Sequence, residues 1–268
     1  MKKISALLLM AALSAMTVQA QLEKKQLKQT LTLKMPGESG SNGAAVAWHP
    51  VLKKYYASMA GNASFPMGVF DLAGRLQSDE ELEALFDIRG LWYNSDTKTL
   101  QMNGYNDFGW AEYELDKKGF PEDVTVLREG MNQPNAQAAG AYNARAGKIY
   151  FFNSDEGNIE IYDLATSSYE DAIDLTLGRA AGKSGDNSDV LDEYNSSTVI
   201  YTGLPKAEIG LFNHEDQVIE LYDIKTGYLT RKFTLPADAP APEMLNFAYA
   251  NGIYWLFDKT ERTWKGYK

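Results

Sequence analysis

Two histidines, 36 acidic and 26 basic residues and no cysteine bound the chemistry open to this chain. His214 stands in the polar run Phe212-Asn213-His214-Glu215-Asp216, where an imidazole could act as general base or ligand. His49, in Trp48-His49-Pro50, falls on a different part of the pattern described below, so the pair cannot share one ion. Catalytic zinc normally needs three protein ligands around an open position, and without thiolates the chain does not supply them. No Gly-x-Ser-x-Gly elbow is present to expose a serine nucleophile. Carboxylate chemistry is the surviving catalytic option: Asp107, Asp155, Glu156, Glu215 and Asp258 fall at equivalent turns, and glycoside hydrolysis needs two such groups across a pocket.

Residues 178–196, GRAAGKSGDNSDVLDEYNS, form the longest connection and hold two further motifs. GRAAGKS is one residue short of a phosphate-binding loop and no helical pattern follows it, so nucleotide binding is not expected. Asp186, Asp189, Asp192 and Glu193 present the clustered oxygens that hard cations take, without the spacing of an EF-hand. The expectation is therefore no obligatory cofactor, with Ca²⁺ as the one ion to consider.

The elements that position these residues repeat along the chain. Residues 140–168 read as three short strands: one beginning at Ala141-Tyr142, one over 148–152 ended by Asn153, and one over 158–163 alternating Ile159 and Ile161 with Glu160 and Tyr162. Aligned on the first-strand aromatic, copies recur at Trp48, Trp92, Tyr142, Tyr201 and Tyr249, about 44 to 59 residues apart. The second strand of each copy ends at Met59, Asn103, Asn153, Asn213 and Asp258, and a third-strand aromatic follows at Phe70, Tyr113, Tyr162, Tyr222 and Tyr267. Asn and Asp bond their own downstream backbone in tight turns, which gives those strand ends their local reason.

Five copies predict an all-β propeller of five four-stranded blades. The last copy ends after three strands, while 26–33, QLKQTLTL, alternates as a strand ahead of the first copy. That N-terminal strand is expected to complete the fifth blade and close the ring, removing two edges. Residues 1–20 carry Lys2-Lys3, an apolar run and Val18-Gln19-Ala20, the pattern of a secretory signal, so the propeller should span 21–268 in the periplasm or outside the cell. No other segment has the length of about 20 apolar residues that spans a bilayer, so membrane insertion is not expected. The net charge of −10 opposes nucleic-acid binding. A capping-box pattern at Ser78-Asp79-Glu80-Glu81, followed by Leu82, Leu85 and Phe86, predicts a short helix after the first copy.

In this arrangement the second-to-third-strand turns and the connections between blades share one face of the ring, where a site is expected. The candidate ligand-binding residues there are Arg89, Tyr105, Asn106, Trp110, Gln137, Asp155, His214 and Glu215, with Trp110 and Tyr105 as aromatic anchors. Trp110 has a competing role, filling space between blades. IYFFNSDEGNIEIYDLATSS, echoed by IGLFNHEDQVIELYDIKTGY, resembles YVTN-type and NHL-like propeller repeats. Those families are mostly binding scaffolds with varied partners, so the resemblance implies a fold and a binding role more than an activity. WHPVLKKYYAS is similar to the first blade of arabinanase-like glycosidases, but His49 stands where their catalytic Asp would be. A binding module for a protein, peptide or glycan is the expected function. The alternative is a periplasmic hydrolase, calcium-dependent and lactonase-like or with a carboxylate pair, working at the channel mouth.

Overall fold

A computed structural model describes residues 22–180 and 187–268. Five antiparallel sheets stand around a central axis as the blades of a propeller. Their inner strands are Asn42–His49, Ile88–Asn94, Ala141–Asn143, Ile200–Tyr201 and Phe247–Ala250, and each pairs with the next strand of its own blade. The fifth blade runs Phe247–Ala250, Ile253–Asp258, Thr263–Tyr267 and then Gln29–Lys34, so the N-terminal strand closes the ring as its sequence pattern predicts. Leu33 is the fully buried residue of that strand and pairs with Trp264.

The outer positions vary. In blade 1 the strands Asn42–His49, Lys54–Ala60 and Met67–Phe70 are followed by two isolated bridges, Phe70–Leu76 and Pro66–Glu83, and the Gln77 N–H donates to Val69 O at 2.7 Å. Blade 4 is extended instead. Its outer strand Tyr228–Thr234 also pairs in parallel with Glu23–Gln26 and with Thr176–Ala180. The GRAAGKS run begins within this last strand, and its remainder lies outside the described residues.

The short helix expected after the first copy does not form. Asp79 accepts the Glu81 N–H at 2.9 Å in a tight turn, then the chain runs extended beside blade 1, where Met67 N–H donates to Leu82 O at 2.8 Å and Ala84 N–H to Phe65 O at 2.8 Å. Backbone pairing to an open sheet edge satisfies these groups outright, and it outweighs a local helical pattern too short to stand alone.

The core is divided into five clusters, one between each pair of adjacent blades. The repeated third-strand aromatics belong to them: Phe70, Tyr113, Tyr162, Tyr222 and Tyr267 are all at most 9% exposed. Polar clasps join the same junctions near the connection face. Asp87 Oδ1 accepts the Gly61 N–H between blades 1 and 2, and Asn103 Oδ1 accepts the Gly140 N–H between blades 2 and 3. Ala139 N–H donates to Ser197 O between blades 3 and 4, Asn195 Nδ2 donates to Pro242 O and Leu245 O, and Asn246 Oδ1 accepts the Gly43 N–H to close the ring. Asn103 is thus a clasp rather than a turn residue. Asn153, Asn213 and Asp258 do cap their turns, accepting downstream N–H groups at 2.8–3.3 Å. None of the helices formed by the described residues is long and apolar enough to cross a membrane.

Candidate functional site

The inner strands are short, and most of their axial residues are small or aliphatic: Ala44, Ala45, Val46 and Ala47 in blade 1, Leu91 in blade 2, Ala139 and Ala141 in blade 3, Val199 in blade 4 and Ala248 in blade 5. They leave a well of about 340 Å³ along the axis. Its two ends differ. At the level where the inner strands begin, Ala44, Arg89, Ala139, Thr198 and Phe247 are all buried, and the clasps described above lie beyond them. At the opposite end Trp48, Tyr93, Tyr142, Tyr201 and Tyr249 are half-buried, and the adjoining turn residues Pro50 and Ala144 are exposed. The well therefore has a floor near the connection face and a rim at the inner-to-second-strand turns.

Each blade gives one aromatic side chain to that rim. Several are held by a ring behind them: Trp48 by Tyr55 at 4.6 Å, Tyr93 by His49 at 4.4 Å, Tyr201 by Tyr150 at 5.6 Å and Tyr249 by Tyr254 at 5.0 Å between centroids. In blade 2 the rim residue is Tyr93, not the aligned Trp92. Successive strand residues point to opposite faces, so Trp92 turns toward blade 3 and packs on Trp110 and Tyr142, while Tyr93 turns toward blade 1. Tyr142 O–H donates to Asn94 Oδ1 at 3.3 Å, whereas the hydroxyls of Tyr93, Tyr201 and Tyr249 make no hydrogen bond among the described residues. Burial raises the phenol pKa values of Tyr142, Tyr201 and Tyr249, so these are neutral hydroxyls at physiological pH. Stacked aromatic rings with free polar tips are suited to a ligand that is flat on one side and hydrogen-bonding at its edge.

Of the foreseen candidates, Arg89 lines the floor. Arg89 is buried, its Nε donates to Gln137 Oε1 at 2.7 Å, and its Nη1 donates to Asp87 Oδ1 at 2.6 Å and to Ile88 O at 2.9 Å. The Tyr105 ring lies 4.7 Å from the guanidinium carbon. Arg89, Tyr105 and Gln137 are therefore one cluster. Asn106 is exposed in the 3₁₀ turn Asn106–Phe108, beyond it, and bonds only to Asp107 and the Ala136 carbonyl.

Trp110 corrects the sequence expectation. It is 1% exposed and stands against Trp92, Phe151 and Tyr162 between blades 2 and 3, so it cannot anchor a ligand on the surface. Its position at the start of a third strand placed it on the expected face, but the ring folds back into the smallest of the inter-blade cores.

Asp155, His214 and Glu215 do come together, in a second groove on the connection face with Asp192, Tyr194, Ser196 and Glu243. His214 Nε2 donates to the Asp192 carbonyl at 2.9 Å, which ties the turn to the preceding connection and occupies that nitrogen. Among the described residues no three carboxylate or imidazole groups converge as they would around a metal ion. His49 lies far from this groove, buried behind Tyr93, and burial lowers its pKa.

The rim residues and Thr198 were not foreseen as site residues. The signal existed, since the aromatic repeat that revealed the blades is the rim itself in four of five copies, with Tyr93 beside the aligned residue in the other.

No family model matches the chain, and no curated protein matches its sequence. Solved structures match in fold. Glutaminyl cyclase from Myxococcus xanthus is similar over 92% of this chain and 98% of its own, with a TM-score of 0.57 and 11% identity. An auxiliary nutrient binding protein from Bacteroides thetaiotaomicron is matched over 87% of this chain and 60% of its own (TM-score 0.45, 12% identity). A streptogramin B lyase is matched over 86% and 66% (TM-score 0.40, 16% identity). At 11% identity the likeness to the cyclase concerns the fold alone.

Proposed function

We propose that the protein is an exported binding module that takes a small ligand, or one end of a peptide or glycan, into the central well. The observation behind this is the rim: five blades each set one half-buried aromatic ring around a single opening, over a floor that holds a buried guanidinium. A volume near 340 Å³ lies at the lower end of the range of ligand pockets, about 300–1,000 Å³. Among the described residues the well is lined by no Asp, Glu or His side chain, which favours binding over acid–base chemistry at that place. The acidic groove holding Asp155 and Glu215 is where the hydrolase alternative would have to work, and no three metal-ligating side chains converge there among the described residues. The signal pattern of residues 1–20 supports export.

Trp48 and Trp92 line the well, so intrinsic tryptophan emission reports its occupancy. Titration with short oligosaccharides and tripeptides is expected to give a saturable change that Tyr201→Ala and Tyr249→Ala weaken and Glu215→Gln leaves unaltered. Binding that is indifferent to both rim variants and lost in Glu215→Gln would move the site to the acidic groove.

A further inference from the structure

The chain has ten more acidic than basic residues, 36 against 26, yet among the described residues the lining of the well contains one charged side chain and it is cationic, Arg89. A guanidinium carries five N–H donors in a fixed fork. Gln137, Asp87 and the Ile88 carbonyl take the donors of Nε and Nη1, and Nη2 has no hydrogen bond among the described residues although the side chain is only 4% exposed. Asp87 is not part of the lining; it balances the guanidinium charge from one edge and accepts the Gly61 N–H. The tie between blades 2 and 3 through Gln137 therefore explains one edge of Arg89 and leaves the other unused.

A buried orphan lines the same well. Thr198 is 3% exposed and its Oγ1 is buried without a hydrogen-bond partner. Buried polar groups are normally paired, and one left unpaired is costly, so the Thr198 hydroxyl, in the same lining as a guanidinium edge without a protein partner, calls for an acceptor. Ala44, Ala139 and Phe247, the other residues at this level, have side chains that offer no acceptor.

We propose that the floor is a carboxylate-recognition subsite, in which Arg89 Nη2 and the Thr198 hydroxyl donate to the ligand's carboxylate oxygens while its body stacks against the aromatic rim. The proposal presupposes that the well is the binding site. Arg89 precedes Trp92 and Tyr93 by three and four residues on one strand, a rise of about 10–13 Å, which accommodates a carboxylate and one ring between floor and rim. An amide in place of the carboxylate would set its own N–H₂ against the Nη2 donors, and bonds to a charged acceptor are roughly twice as strong as neutral ones.

The test is a set of four titrations followed by tryptophan emission: benzoate against benzamide, and glucuronate against methyl glucoside. At least one acid is expected to bind tenfold or more tightly than its neutral partner, and whichever acid it is tells an aromatic from a sugar ligand. Thr198→Val should weaken that acid several-fold, leave the neutral partner unchanged and not lower the melting temperature, because the lost hydroxyl has no partner to lose. Arg89→Met serves only as a supporting variant, since it also cuts the tie to Gln137. Equal binding of an acid and its neutral partner overturns the carboxylate subsite and leaves the well as a binding site. An acid preference untouched by Thr198→Val overturns the two-donor floor. No saturable response to any of the four overturns both the subsite and the proposed function.

Discussion

Replacing Trp110 with alanine separates a core residue from a surface anchor. The side chain is 1% exposed and belongs to a cluster of only six buried residues, with Trp92, Phe151 and Tyr162 as its ring partners at 6.1, 6.2 and 6.5 Å. An indole buries about 200 Å², which at about 25 cal/mol per Å² is worth about 5 kcal/mol as an upper estimate, because the unfolded chain already hides part of that surface. Its Nε1–H has no partner, and relieving that unpaired donor returns about 1–2 kcal/mol. The net loss is about 3 kcal/mol, within the range of about 3–5 kcal/mol seen for large aromatic deletions. In a chain of this size that lowers the melting temperature by about 6–12 °C. Thermal unfolding of wild type, Trp110→Ala and Trp110→Phe by circular dichroism makes the measurement, and the phenylalanine variant should retain most of the stability. A Trp110→Ala midpoint within about 2 °C of wild type would refute the placement of this ring in the inter-blade core.

Leu33→Ala, in the strand that closes the ring, should cost about 2–5 kcal/mol, while Thr32→Ala on the exposed side of the same strand should stay within about 0.5 kcal/mol; equal effects in chemical denaturation would argue against closure by this strand. Glu220 is fully buried, accepts the hydroxyls of Tyr194 at 2.7 Å and Tyr222 at 2.5 Å, and sits 3.2 Å from Lys232 Nζ as an ion pair without hydrogen-bond alignment. Glu220→Ala should therefore destabilise by about 3 kcal/mol and Glu220→Gln by less, since the amide oxygen still accepts; the reverse order in urea unfolding would contradict this account. The Lys148 Nζ hydrogen bond at 3.0 Å is the main cause holding the Asp163 carboxyl below its usual value, against opposing burial and with help from Thr166. A depressed carboxylate contributes its stability in full above the unfolded value of about 3.9 and loses it as pH falls through the lower folded value. Asp163→Asn should accordingly be less stable than wild type at neutral pH and indistinguishable from it once both are well into acid; a difference that persists in acid would contradict the linkage.

Much of the architecture was written in the chain because a propeller repeats one local problem five times. Each blade needs an aromatic at the end of its inner strand, a turn residue at the end of its second and a large ring in its third, and these recur at Trp48, Tyr142, Tyr201 and Tyr249, at Asn153, Asn213 and Asp258, and at Phe70, Tyr113, Tyr162, Tyr222 and Tyr267. Ring closure was legible for the same reason: an unmatched alternating strand at one end and a three-stranded blade at the other complete each other. The helix foreseen after Ser78 failed because capping and periodicity are local, while the open edge of blade 1 that claimed those backbone groups is supplied by strands earlier in the chain.

The site was only partly legible. Sequence alone chose Arg89, Tyr105 and Gln137, which form one cluster, and Asp155, His214 and Glu215, which share a groove, yet it could not say that the two groups are separate. Nor could it assign a role to a repeated aromatic, since the same residue type recurs whether it fills a core, as Trp110 does, or rims an opening, as Tyr201 does. Which end of the axis is sealed depends on clasps between residues far apart in the chain, such as Asn246 with Gly43 and Asn103 with Gly140, and on the sizes of five inner-strand side chains meeting at one level. Periodicity specifies what each blade looks like; only the closed ring, by bringing five separate strands to a common axis, decides that Arg89 and Thr198 share one floor and that the aromatic repeat becomes its rim.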